Sequence, residues 1–169
     1  MTAQIIIWNG SPMTVTIESF DPQYRQAFYD LNIQWIEEFF TVEEIDQKVL
    51  TNPEKYILDE GGEILFAVDD GKAVGTVAMK LIAPSRFELT KLGVDKSIRK
   101  GGIGAALCER VIERFQARSG ETLFLETNKI LENAIRLYWR LGFVEMPNPI
   151  QSPYVRSNYY MEWQERPNK

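Results

Sequence analysis

The chain has 169 residues, 44% of them hydrophobic, and a formal net charge of −5, which suits one domain with a sizeable core rather than two and argues against nucleic acid as a partner. It has no histidine and a single cysteine, Cys108; this excludes a disulfide framework, a His/Cys zinc site and a histidine-based triad, so no metal is expected. The apolar run at 5–8 is too short for a membrane span and lacks the basic flank of a secretory leader, so the expected compartment is the cytoplasm.

The first predicted element is a strand over 13–18, and IIIW (5–8) followed by Asn9-Gly10 is an additional hairpin partner left out of the basic strand order, since Asn-Gly favours a tight hairpin turn. Asp21 as N-cap and Pro22 at the first helical position open a helix, along which Tyr24, Phe28, Leu31, Trp35 and Phe39 recur every three or four residues. Thr41 with Glu44 three residues later reads as a capping box for a second helix, which carries Val42, Ile45 and Val49 and stops at Asn52-Pro53. Runs at 63–68 and 73–81 form a hairpin across Asp69-Asp70-Gly71, and 87–94 is the next strand. Ile103, Leu107, Val111 and Phe115 mark one face of a helix that ends at Ser119-Gly120, with Cys108 read as core packing. The nearly all-apolar 123–127 is a central strand. Leu131, Ala134, Ile135, Tyr138 and Leu141 form a helical stripe closed by Gly142, followed by strands at 143–145 and 158–163 with Pro147, Pro149 and Pro153 in the loop between them. The order β-α-α-β-β-β-α-β-α-β-β predicts an α/β fold with a mixed central sheet of six or seven strands flanked by about four helices.

Chemistry concentrates where the strand FELTKLGV runs through a polar bend into RKGGIGAAL. Gly101, Gly102 and Gly104 stand at the start of a helix, where residues without a Cβ let backbone N–H groups approach an anion and the helix dipole favours negative charge. The ligand should carry phosphates. A triphosphatase loop would need GxxxxGK[ST] and a dinucleotide fold GxGxxG with an acidic residue about twenty positions on, and neither is present. Lys91, Lys96, Arg99 and Lys100 concentrate positive charge here despite the acidic total. What remains is RxxGxG, from Arg99, Gly102 and Gly104.

In that wording the segment resembles the GNAT family of N-acetyltransferases. A second motif, LYWRLGF at 137–143 with Ala134 four residues before Tyr138, is similar to the family's late helix and its exit into the next strand. The strands ELTKLGV and LETN and the segment PYVRSNYYM resemble a bacterial subgroup written ELxKLxV, LETN and PYxRxxxxM. The resemblance runs from about 14 to 162 and implies a single N-acetyltransferase domain over 1–169, its core at about 14–163, with a GNAT-like sheet. It also implies acetyl-coenzyme A as cosubstrate. The pyrophosphate would lie on amides of Arg99, Lys100, Gly101, Gly102, Ile103 and Gly104, with the Ile103 side chain turned into the core. The pantetheine arm would pair along Leu92, Gly93 and Val94, with Gly93 easing a bulge and an N–H near Val94 polarising the acetyl carbonyl. Tyr138 would protonate the departing thiolate, since a phenol remains a donor at neutral pH. The base that takes the amine proton would be Glu88, eleven residues before Arg99, with Glu126 or a water as alternatives. Leu131 stands where many members carry an asparagine seven residues before the tyrosine, and Asn128 and Asn133 flank it as candidate cofactor contacts.

By the same resemblance the acceptor site draws on Trp35, Glu37, Glu38, Phe39, Phe40, Tyr154, Arg156 and Tyr159. The acidic and aromatic mixture suits a cationic amine, whereas Arg156 suits a carboxylate. The expected acceptor is the primary amine of a small molecule, attacking directly in a ternary complex. Alternatives are a protein amine as acceptor, a non-catalytic acyl-coenzyme A sensor, and a nucleotide-binding protein. No membrane partner is expected, and a homodimer through sheet edges or the C-terminal Tyr159, Tyr160 and Trp163 is a family expectation.

Overall fold

A computed structural model describes residues 3–8, 10–98 and 101–167. The N-terminal apolar run does form a strand: β1 (Ala3–Trp8) pairs antiparallel with β2 (Ser11–Ser19), Trp8 lying opposite Ser11 across a turn in which Gly10 has φ +75°. Asp21 caps as expected, its Oδ1 accepting from the Gln23 amide at 3.0 Å, but the segment it opens is a 3-10 turn (Pro22–Tyr24) that leads into α1 (Arg25–Phe39). Helix α2 (Glu44–Thr51) begins two residues later than the Thr41 pattern suggested. Its capping box is made by Glu43 and Asp46, each side chain taking the other's backbone N–H, because a carboxylate satisfies the orphan amides of a first turn as well as a hydroxyl does.

After a π-helical turn (Glu54–Leu58) come β3 (Glu63–Asp69), β4 (Lys72–Ala83) and β5 (Arg86–Val94), then α3 (Ile103–Ala117), β6 (Thr122–Thr127), α4 (Glu132–Leu141), β7 (Phe143–Glu145) and β8 (Tyr159–Trp163). The strands form one sheet in the order β1-β2-β3-β4-β5-β6-β8-β7. The α/β class and element order are those read from the sequence, with eight strands instead of six or seven because the N-terminal hairpin joins the sheet.

The sheet is covered on both faces. One core packs α3 and α4 against it, with Ile103, Leu107, Cys108, Val111, Phe115 and Tyr138 among its buried members. The other packs α1, α2 and the π-helical turn through Phe28, Ile36, Leu50, Ile57 and Phe66. This two-sided cover explains why β3 is apolar at nearly every position rather than alternating. Two glycines permit close approach. A Cβ on Gly75 of β4 would lie 2.9 Å from Ile103 of α3, and one on Gly93 of β5 would lie 2.8 Å from the Leu31 carbonyl of α1.

Candidate functional site

The site begins with a separation of strands. Strands β5 and β6 run parallel and pair only over Arg86–Glu88 with Thr122–Phe124. Beyond Glu88 they part, while β6 stays paired with β8 as far as Thr127. A cavity of about 490 Å³ opens there, lined by β5 from Glu88 to Val94, by Leu125–Thr127 of β6, by Gly104, by Leu137 and Tyr138 of α4, and by Trp35, Phe40, Tyr154 and Arg156.

One end of the cavity is the start of α3. Gly102 is its N-cap in the left-handed conformation at φ +85°, with no side-chain cap, and its carbonyl accepts from Ala106 N–H at 3.1 Å. The helical ladder therefore starts at Ala106, which leaves the amides of Ile103, Gly104 and Ala105 as the exposed positive end of the dipole. Ile103 is fully buried, as expected. A Cβ on Gly102 would meet nothing within 4 Å, and one on Gly104 would touch Leu137 at 3.5 Å, so the first turn has open space in front of it. Arg99 and Lys100 lie outside the described residues.

On α4, Tyr138 is 7% exposed and packs edge-on to Phe143 at 5.9 Å. Burial, and then the neighbouring Cys108, push its phenol far up, so it keeps its proton at any working pH. Its hydroxyl takes no hydrogen-bond partner among the described residues, and Tyr138 is one of the residues that line the cavity. A buried polar atom left this way points to a ligand that completes it.

On β5, Glu88 is half-buried. Burial first and Glu126 second push its carboxyl up to about 7, against smaller opposing pulls from Lys80, Lys91 and Arg86. A carboxyl that ionises near neutrality is suited to taking a proton. Glu126 is held differently: Oε1 accepts from Asn148 Nδ2 at 2.9 Å and Oε2 from Ser152 Oγ at 2.6 Å. Both its oxygens are engaged in holding the loop between β7 and β8.

The other end of the cavity is built around a residue that the sequence reading treated only as local positive charge. Thr76 of β4 faces Gly93, but Ala78 faces Thr90, so Val77 opposes both Lys91 and Leu92. Lys91 takes φ +57° at this bulge, a left-handed conformation that costs a side-chain-bearing residue about 1 kcal/mol. The bulge thus sits at Lys91 rather than at Gly93, whose missing side chain instead admits α1. Lys91 Nζ donates to the Tyr154 hydroxyl at 2.8 Å and lies 3.5 Å from Asp46 Oδ1. Arg156 grips the same carboxylate with two bonds, Nη1 to Oδ2 at 2.6 Å and Nη2 to Oδ1 at 2.7 Å, and reaches Glu43 at 3.2 Å. The Asp46 side chain is fully buried. Burial pushes its carboxyl up, but Arg156, the Glu43 amide and Lys91 together hold it below the usual carboxylate range.

Residues 19–143 match the family model described as the acetyltransferase (GNAT) family. The chain belongs to that family. It is 29% identical over 120 residues to the Escherichia coli [ribosomal protein bS18]-alanine N-acetyltransferase, covering 69% of this chain and 76% of that one. It is 34% identical over 90 residues to the probable N-acetyltransferase camello of Xenopus tropicalis, and there the match covers 52% of this chain and 41% of the frog protein. Among solved structures, a GNAT acetyltransferase from Staphylococcus aureus superposes with TM-score 0.80 at 21% identity, over 88% of this chain and 98% of that one. The PaiA N-acetyltransferase of Thermoplasma acidophilum, solved with coenzyme A, superposes with TM-score 0.71 at 16% identity, over 90% and 100%.

This GNAT acetyltransferase uses acetyl-coenzyme A by family membership, and the residues fit that group: an open helix N-terminus for phosphates, a strand edge beside it, and the orphan Tyr138 hydroxyl farther along. Leu92, Gly93 and Val94 all line the cavity. Asn128 lines it too, but its side chain donates to the Arg156 carbonyl at 2.7 Å and accepts from Ile130 N–H at 3.0 Å, so it shapes the turn into α4. Asn133 is exposed on the cavity rim. Of the expected acceptor residues, Trp35, Phe39, Phe40, Tyr154 and Arg156 line the cavity, whereas Glu37, Glu38 and Tyr159 do not; Tyr159 lies beside Trp139 and Ile135 on the far side of α4. Asp46 and Glu43 were missed as site residues. The signal available was the spacing of two acids at the start of α2, which reads first as capping. No helix among the described residues is long and apolar enough to cross a membrane.

Proposed function

We propose that this GNAT domain, taken as one domain over 1–169, transfers the acetyl group of acetyl-coenzyme A directly to the primary amine of a small molecule in a ternary complex. The observation that carries the reading is the placement of Glu88 on β5 and Tyr138 on α4 around one cavity at the N-terminus of α3. When bound, the cosubstrate supplies an acetyl thioester. The amides of Gly102, Ile103, Gly104 and Ala105 hold its phosphates, whereas the Gly101 N–H expected beside them donates to the Ile98 carbonyl at 3.0 Å; Arg99 and Lys100 add charge, and the β5 edge at Leu92, Gly93 and Val94 orients the arm, an N–H near Val94 polarising the carbonyl. Asn128 and Asn133 flank the arm from the start of α4. Glu88 Oε takes the proton of the incoming ammonium, and the Tyr138 hydroxyl gives its proton to the leaving sulfur. The cytoplasm is the proposed compartment.

Calorimetry with acetyl-coenzyme A followed by thiol release over a panel of amines tests this, comparing the parent with Tyr138→Phe. Binding with turnover that falls in the variant supports the reading, whereas binding with no thiol release from any amine would favour a sensor. A protein amine is the second reading, favoured by the relative named for the alanine of ribosomal protein bS18; acetylation of alanine-ended peptides in preference to every small amine would establish it.

A further inference from the structure

Building on that reading, we infer that the acceptor is a dication: an amine that carries a second ammonium and no carboxylate beside it. The argument starts from which charges at the acceptor end are already neutralised. Arg156, the residue that by type suits a carboxylate, has both terminal nitrogens on Asp46 and one also on Glu43. Its side chain is 13% exposed. Lys91 Nζ faces Asp46 and Tyr154 and is 3% exposed. Two cations thus meet two carboxylates inside the protein, and a substrate carboxylate would have to displace a bidentate buried pair to reach either.

What remains facing the cavity is acidic. Glu88 and Glu126 both line it, and the charge of Glu126 pushes the Glu88 carboxyl up. Neither has an ion-pair partner among the described residues. Glu126 is fixed by two neutral donors, Asn148 and Ser152, which orient its charge without cancelling it. Lys80 lies opposite Glu88 in the ladder, and Arg86 is turned to the Tyr160 hydroxyl and Glu162; their pulls on Glu88 are smaller than the effect of burial and Glu126. A second ammonium answers this arrangement. Glu88 receives the reacting amine and Glu126 holds the remote charge, while Trp35, Phe40 and Tyr154 cover the alkyl spacer.

The test uses three amines of similar length that differ only at the far end: cadaverine, hexylamine and 5-aminopentanoate. Their binding to the protein saturated with coenzyme A is measured by calorimetry, and thiol release from acetyl-coenzyme A in parallel. The dication should bind about tenfold more tightly than the monocation, and the carboxylate weakest. Glu126→Gln should shrink the ratio between cadaverine and hexylamine, and 0.5 M salt should shrink it less than for an exposed pair. Equal binding, no binding of cadaverine, or preference for 5-aminopentanoate overturns the inference. The expected binding order without thiol release would keep it and refute the acyl-transfer reading instead. A cadaverine-to-hexylamine ratio untouched by Glu126→Gln would also count against it.

Discussion

Replacing Glu88 by Gln separates catalysis from stability at a single atom, since the amide keeps the size and shape of the neutral acid but cannot ionise or take a proton. Burial and Glu126 move the carboxyl from 4.5 to about 7. Between those values the folded chain holds a proton that the unfolded chain has lost, so the group's contribution to stability falls as pH rises through that window and the loss is complete above it. At about 1.4 kcal/mol per pH unit the loss is ~3 kcal/mol, and the open side of the cleft reduces it to ~2 kcal/mol. Glu88→Gln should therefore match the parent in stability near pH 4.5 and exceed it by ~2 kcal/mol at pH 8, a rise in Tm of about 5 °C for a chain of this size. Thiol release should fall about 100-fold. The rise in parental rate with pH, centred near 7, should vanish. Thermal melts at the two pH values and rate profiles across neutrality read both effects. A variant that keeps the rise near 7 would refute Glu88 as the base. One no more stable than the parent at pH 8 would refute the buried charge.

Tyr138→Phe should lower the rate of thiol release about 100-fold while leaving thermal stability equal or slightly higher, because the hydroxyl is buried with no hydrogen-bond partner among the described residues; a drop in Tm would reveal a structural bond instead. Gly102→Ala places a Cβ in open space but at φ +85°, so it should cost about 1 kcal/mol in stability and weaken acetyl-coenzyme A about tenfold by calorimetry, whereas Gly104→Ala, which meets Leu137 only at ordinary contact, should leave stability unchanged. Asp46→Asn should lower stability by ~3 kcal/mol in urea unfolding by leaving Lys91 buried without its counter-charge and Arg156 with Glu43 alone, and Lys91→Met in the same chain should recover part of that loss.

The legible parts of the fold were those in which local chemistry and tertiary structure agree. Asp21-Pro22, Asp70-Gly71 and Gly142 all mark boundaries where the backbone needs them, and the glycine-led start of α3 and the LYWRLGF helix, both read from the sequence, line the same cavity. The end of the cavity around Lys91 was harder to read because its parts are far apart in sequence: Asp46 meets Lys91 across 45 positions and Arg156 across 110. A lysine inside an apolar strand gives no sign that it will take a left-handed φ and turn inward, since bulges leave no composition signal when glycine is not used. The adjacent Gly93 drew the bulge assignment away from Lys91. Arg156 was legible as a charge but not as a charge already satisfied, and that difference reverses the substrate it implies.

The loop from Met146 to Asn158 is tied to β6 through Glu126, to β5 through Lys91 and to the start of α2 through Glu43 and Asp46. On the proposed reading of this end of the cavity as the acceptor site, substrate selectivity is therefore an epistatic trait. A point mutation that reshapes one wall strands a charge on another, so drift toward a new acceptor must pass through compensated pairs, such as loss of Lys91 before loss of Asp46. Laboratory evolution for altered acceptors should accordingly recover linked substitutions across these segments more often than single ones, and chimaeras that exchange the loop alone should fold poorly unless Glu43 and Asp46 travel with it.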